Sequence, residues 1–205
     1  MDSARRPIAS RSSGWAIALS SRLARAGVTP NSISVASVGF AALGGMLMLW
    51  AHPLGWVLAA LCVQARLVCN LLDGMVAIEG GMKTPTGAMY NEFPDRVADT
   101  FFLVPLGYAA GVEWLGWAAA LLAALTAYVR VFGGSVGLAQ DFSGVMAKQR
   151  RMAALTLALV LAAIEVPLFG TRWSLLICGW AIVLGSLATC VTRSQGIARG
   201  LKEAA

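Results

Sequence analysis

Six apolar stretches, each close to the length of a bilayer-crossing helix, recur along this 205-residue chain with only short polar connections between them. A hydrocarbon layer about 30 Å thick takes about 20 helical residues to cross. Within it a backbone must satisfy its own hydrogen bonds, which restricts the choice to helices or a closed barrel. The runs at 33–51, 55–72, 93–111, 114–132, 152–168 and 173–192 are continuous and too long for barrel strands. They predict an all-α integral membrane protein with six transmembrane helices. The composition agrees, with 58% hydrophobic and 13% charged residues. A net charge of +6 would suit a nucleic-acid partner, but the basic residues sit between apolar runs instead of forming a stripe, so none is expected. The cysteines Cys62, Cys69, Cys178 and Cys190 fall inside apolar runs without metal or disulfide spacing and read as packing residues.

Residues 1–32 are expected to form a cytoplasmic amphipathic segment, 33–192 the six-helix domain and 193–205 a cytoplasmic tail. Arg5, Arg6, Arg11, Arg22 and Arg25 interrupt the first segment, so it does not read as a secretory signal. Trp15, Ile17, Leu19 and Leu23 alternate with polar residues, the pattern of a helix lying on the membrane surface. Thr29-Pro30-Asn31 then breaks that helix and caps the next. Orientation follows from Lys and Arg. Lys83, Lys148, Arg150, Arg151, Arg193, Arg199 and Lys202 fall on the side of the N-terminus, whereas Arg172 stands alone opposite. Both termini and any chemistry should face the cytoplasm, a bacterial inner membrane being the expected location.

The chemistry concentrates between the second and third runs. Asn70 and Asp73, three residues apart, share one helical face; Asn91, Asp95 and Asp99, each four apart, share another. Ionised carboxylates at a membrane boundary are costly unless paired with a cation, and facing aspartates repel. Oxygen ligands of this kind favour Mg²⁺ or Mn²⁺, two ions being expected. The bland alternative is that Asp95 and Asp99 merely favour a helix N-terminus, worth about 0.3–1 kcal/mol each.

The spacing resembles the signature of the CDP-alcohol phosphotransferase family, D-x2-D-G-x2-A-R-x8-G-x3-D-x3-D. Asp73, Gly74, Ala77, Thr84 and Gly87 fall in register with it, and Pro94-Asp95-Arg96-Val97-Ala98-Asp99 is similar to its final segment. Thr29-Pro30-Asn31 resembles the family's turn before the first span. Three departures stand out. Asn70 replaces the first aspartate and Ile78 the arginine; seven residues separate Gly87 from Asp95 where the family has three before its third aspartate. The last two motif positions are then Asn91 and Asp95, or, if the loop gained a turn, Asp95 and Asp99. The second register supplies three carboxylates and is preferred here. Arg66, on the face of Asn70 and Asp73, can replace the missing arginine at the nucleotide phosphates or pair with an aspartate of the third span.

The resemblance implies a CDP-alcohol donor such as CDP-diacylglycerol, an acceptor hydroxyl, release of CMP and a homodimer. Asp73, Asp95 and Asp99, with Asn70 or Asn91, would hold the metals; Asp99 is the expected base, with Asp95 beside it. Gly74, Ala77, Thr84 and Gly87 would meet the nucleotide. Arg130, Lys148 and Arg151 resemble the basic residues with which some members bind a phosphorylated acceptor, although Lys148 and Arg151 equally suit a cytoplasmic loop. The competing classes are a noncatalytic homologue and a cation- or proton-coupled transporter.

Overall fold

The structure, a computed structural model, describes residues 13–82 and 85–204. Seven α-helices are formed: α1 (Gly14–Arg25), α2 (Pro30–Leu49), α3 (Pro53–Glu79), α4 (Gly87–Ala109), α5 (Glu113–Ser135), α6 (Lys148–Phe169) and α7 (Trp173–Glu203). Their starts follow local chemistry. Thr29 accepts from the Ser32 backbone N–H with Pro30 in the first turn, and His52 accepts from Leu54 N–H with Pro53 following.

Helices α2 to α7 close into a ring. In spatial order α2 packs on α3, α3 on α6, α6 on α7, α7 on α5, α5 on α4, and α4 returns to α2. Helix α1 lies against α3. Because consecutive helices run in opposite directions, the turns at 50–52, 110–112 and 170–172 share one end of the ring, and the connections at 80–86 and 136–147 share the other. Toward the first end the interior is dry, filled by Trp56, Phe102, Leu106, Leu115, Leu159 and Ile182, all at most 1% exposed. Close approach there depends on missing side chains. A Cβ on Gly107 of α4 would lie 2.5 Å from Gly116 N of α5, and one on Gly45 of α2 would lie 2.3 Å from Phe101 O of α4.

The outer surface is apolar, with Leu121, Leu157 and Ile177 at least 60% exposed. Five helices, α2, α3, α5, α6 and α7, are long and apolar enough to cross a bilayer; α4 is long enough but carries Glu92, Asp95 and Arg96 in its first half and Asp99 just past its middle. The chain is thus an all-α integral membrane protein.

Several expected boundaries are corrected. Asn70 and Asp73 do not end a helix, since α3 continues to Glu79 with Met75 and Val76 fully buried. Helix α7 runs unbroken to Glu203, so residues 193–203 are helical and continuous with the run before them. Hydrogen bonding and packing carry a helix past the point where its sequence stops being apolar. In α1 the expected apolar stripe is divided: Leu19 and Leu23 pack on the Val76 cluster, whereas Trp15 and Ile17 are exposed. The cysteines are free, with Cys62 and Cys178 buried and the other two half-buried. Lys83 and Thr84 lie outside the described residues, as do Arg5, Arg6 and Arg11.

Candidate active site

At the end of the ring opposite the dry core, α3 and α4 are joined by side chains across a gap. Arg66 and Asn70 of α3 face Asp95 and Asp99 of α4. Asn70 Nδ2 donates to Asp95 Oδ1 at 2.7 Å, and Arg66 Nη2 donates to Asp95 Oδ1 at 3.2 Å and to Asp99 Oδ1 at 2.8 Å. Helix α6 closes the network from the far side. Lys148 Nζ donates to Asp95 Oδ2, and Arg151 Nη2 donates to Asp99 Oδ2 at 2.9 Å. On α3, Asp73 accepts from the Ser34 hydroxyl of α2 at 2.7 Å.

These contacts form two layers. The deeper one, Arg66–Asp99–Arg151, has side chains no more than 3% exposed. Burial this complete makes each charge depend on its partner. Arg66 Nε and Nη1 and Arg151 Nε make no hydrogen bond within the protein, so the layer keeps spare donors and an excess of positive charge. The upper layer, Asp95 with Lys148, is 14% and 19% exposed and opens into a cavity of about 1030 Å³. Asn70, Asp73, Gly74, Ala77, Gly87, Asn91, Asp95, Arg130, Lys148 and Arg151 all line that cavity, as does Trp15 from α1.

Two expected site residues do not line it. Asp99 lies one turn deeper than Asp95 with both oxygens held by arginines, so it has no face toward the cavity. The helical rise that separates residues four apart puts it beneath the site. Arg66 is fully buried and makes the carboxylate pairing instead of presenting itself to a phosphate. Of the two registers, Asn91 with Asp95 has both residues on the cavity, whereas Asp95 with Asp99 has only Asp95 there.

The donor set suits a hard divalent cation. Asn70, Asp73, Asn91 and Asp95 offer only oxygens for this purpose and share one cavity. Two of the four are amides, which is why no three His, Cys, Asp or Glu residues converge into a metal cluster among the described residues.

Other functional groups escaped the sequence analysis. Glu92 pairs with Arg130 Nη2 at 2.5 Å, Arg130 also donates to Gln140, and its guanidinium lies 4.9 Å from the centre of the Phe142 ring. Arg193 of α7 reaches into the cavity and donates to the Thr126 and Ser143 carbonyls at 2.6 Å each. In the sequence Arg193 falls just past the last apolar run, where it reads as a basic residue of the cytoplasmic side. Its partners lie 67 and 50 residues away and leave no local pattern.

No family model matches the chain. A phosphatidylinositol phosphate synthase of Mycolicibacterium smegmatis is 25% identical over 180 residues, 84% of this chain and 79% of that protein. An archaetidylinositol phosphate synthase of Aeropyrum pernix is 29% identical over 167 residues, 81% of each. Among solved structures, the phosphatidylinositol phosphate synthase of Mycobacterium tuberculosis with CDP-DAG bound superposes with a TM-score of 0.75 at 20% identity, covering 89% of this chain and 92% of that one. The same protein with manganese and citrate gives 0.74. These superpositions show that the fold is shared.

Proposed function

We propose that this chain, which belongs to the CDP-alcohol phosphotransferase family, transfers a phosphatidyl or related substituted phosphoryl group from a CDP-alcohol to a small alcohol and releases CMP. The observation that carries this reading is the convergence of Asn70, Asp73, Asn91 and Asp95 with the motif residues Gly74, Ala77 and Gly87 on one cavity. CDP-diacylglycerol is the proposed donor, since relatives named for phosphatidylinositol phosphate synthesis share most of the chain and one structural neighbour holds CDP-DAG.

Asn70, Asp73, Asn91 and Asp95 would hold Mg²⁺ or Mn²⁺, which when bound neutralises charge on the phosphoryl oxygens. Gly74, Ala77 and Gly87 leave a side-chain-poor strip along the cavity for the nucleotide, and Thr84 joins it on the strength of the motif. In place of Asp99, Asp95 takes the acceptor's proton. The acceptor oxygen bonds to the phosphorus bearing the lipid, and the bond from that phosphorus to the CMP oxygen breaks. A weak base suffices, because phosphoryl transfer passes through a loose transition state and gains most from positioning. Asn70, Arg66 and Lys148 fix both oxygens of Asp95, and the Arg66–Asp99–Arg151 layer holds that arrangement from beneath. Arg130, Lys148 and Arg151 line the side left for the acceptor.

The six-span topology belongs to the same proposal: α4 crosses with the other five, α1 lies at the interface, and both termini and the cavity face the cytoplasm in a homodimer of an inner membrane. Basic residues support it, with Lys148, Arg150, Arg151, Arg193 and Lys202 toward the cavity end and Arg172 at the other. The decisive experiment incubates purified protein with CDP-diacylglycerol, Mg²⁺ or Mn²⁺ and a panel of alcohols. CMP and a new phospholipid should form together, and chelation should stop both. Failure to consume the donor with every alcohol would leave a noncatalytic homologue or a transporter.

A further inference from the structure

Glu92 is a cavity carboxylate that the transferase reading leaves without a task. It follows Asn91 on α4, and its side chain is 35% exposed, yet arginines hold it from two directions. Its Oε1 lies 2.5 Å from Arg130 Nη2 of α5, and its Oε2 lies 3.7 Å from Arg96 Nη2 on the next turn. Arg130 is itself fully engaged: its side chain is 10% exposed, its other terminal nitrogen donates to Gln140, and its flat face covers Phe142. Of the neighbouring cations, Lys148 pairs with Asp95, Arg193 is held by the carbonyls of Thr126 and Ser143, and Arg151 pairs with Asp99 and keeps only a buried Nε unbonded.

A phosphate dianion arriving beside Arg130 would have to expel Glu92, the more exposed partner. The expelled carboxylate would stay in the same cavity and repel it. An alcohol without a phosphate meets neither obstacle. We propose that Glu92 is a specificity-determining residue: as the built-in counter-ion of Arg130 it restricts the acceptor to an unphosphorylated alcohol. This inference rests on the transferase reading and names its acceptor class. Exclusion by an unfavourable charge is a general route to specificity, because discrimination depends on the difference between two affinities.

The test uses acceptors that differ only by a phosphate: glycerol against glycerol 3-phosphate, and myo-inositol against inositol 3-phosphate. Wild type should show the higher kcat/KM with the unphosphorylated member of each pair. Glu92→Gln keeps the shape and removes the charge, so the ratio should move about tenfold or more toward the phosphorylated member. Adding Arg130→Gln should erase that gain. A second readout needs no turnover. Calorimetric titration with inorganic phosphate should show binding about tenfold tighter in Glu92→Gln than in wild type, lost again in the double variant. Glu92→Ala serves if the glutamine variant does not fold, as judged by its Tm. A wild-type preference for phosphorylated acceptors overturns the proposal. So does a folded Glu92 variant whose acceptor ratio and phosphate affinity both match wild type. If no acceptor is turned over but phosphate binding follows the expected pattern, Glu92's control of Arg130 stands and the transferase reading fails.

Discussion

Asp95 and Asp99 are neighbours on one helical face and share Arg66, yet their surroundings give them different work. Asp95 borders the cavity, so Asp95→Asn should lower kcat by about a hundredfold or more while the protein stays folded. Asp99 pairs with Arg66 and Arg151 in a layer whose side chains are at most 3% exposed. Asp99→Asn leaves the buried Arg151 without a counter-charge and Arg66 with Asp95 alone, and breaking a buried pair of this kind costs about 3–5 kcal/mol. A lower Tm in detergent should therefore precede any loss of turnover per folded molecule. Equal Tm values for the two variants would contradict this division. Sequence reading separated the pair poorly for a definable reason. The i, i+4 spacing put both on the right face, but depth along that face is set by Lys148 and Arg151, which arrive from α6 about 50 residues later. Arg66 illustrates the same point. Its two candidate partners could be named from spacing, and burial decided between them.

At the scale of helices, much was legible because membrane elements announce themselves by length and hydropathy. The turn at Thr29-Pro30 and the break between the runs 33–51 and 55–72 fall where the sequence predicts them. The helical extensions at the cavity end were not legible, since the residues there are polar and their helicity is supported by packing, as for Met75 and Val76 against neighbouring elements. Contacts between helices left a different trace. Gly107 and Gly116 look like ordinary small residues in apolar runs, but each occupies a place where the facing backbone comes within 3 Å of the position of a Cβ. Gly107→Val should force α4 and α5 apart and destabilise the protein by at least about 1–3 kcal/mol, read as a fall in Tm. Because the contact lies at the dry end of the ring, the variant that survives folding should keep its KM for donor. A large KM change with unaltered Tm would place the contact nearer the site than the structure does.

For the whole molecule, the ring gives each end a distinct solvent. Topology can be tested at Ser143 and Arg150, exposed residues of the connection before α6 and of its first turn. On a background lacking the four native cysteines, a cysteine at either position should resist an impermeant thiol reagent applied to intact cells and react after the cells are opened. Labelling in intact cells would invert the orientation proposed above.

The dry half of the ring has an electrical consequence. A membrane potential drops where charge cannot screen it, and that is the apolar interior around Trp56, Phe102, Leu115 and Leu159, not the wide cavity above it. All the charge rearranged in phosphoryl transfer then lies at one edge of the field. Moving a unit charge across the whole field is worth about 2.3 kcal/mol per 100 mV, so a site halfway across would change its rate several-fold for each charge it moved. In proteoliposomes of uniform orientation, imposing 100 mV of either sign should leave turnover within about twofold. The enzyme would work at a steady rate whether the membrane around it is energised or collapsed, its apolar floor serving as an insulator.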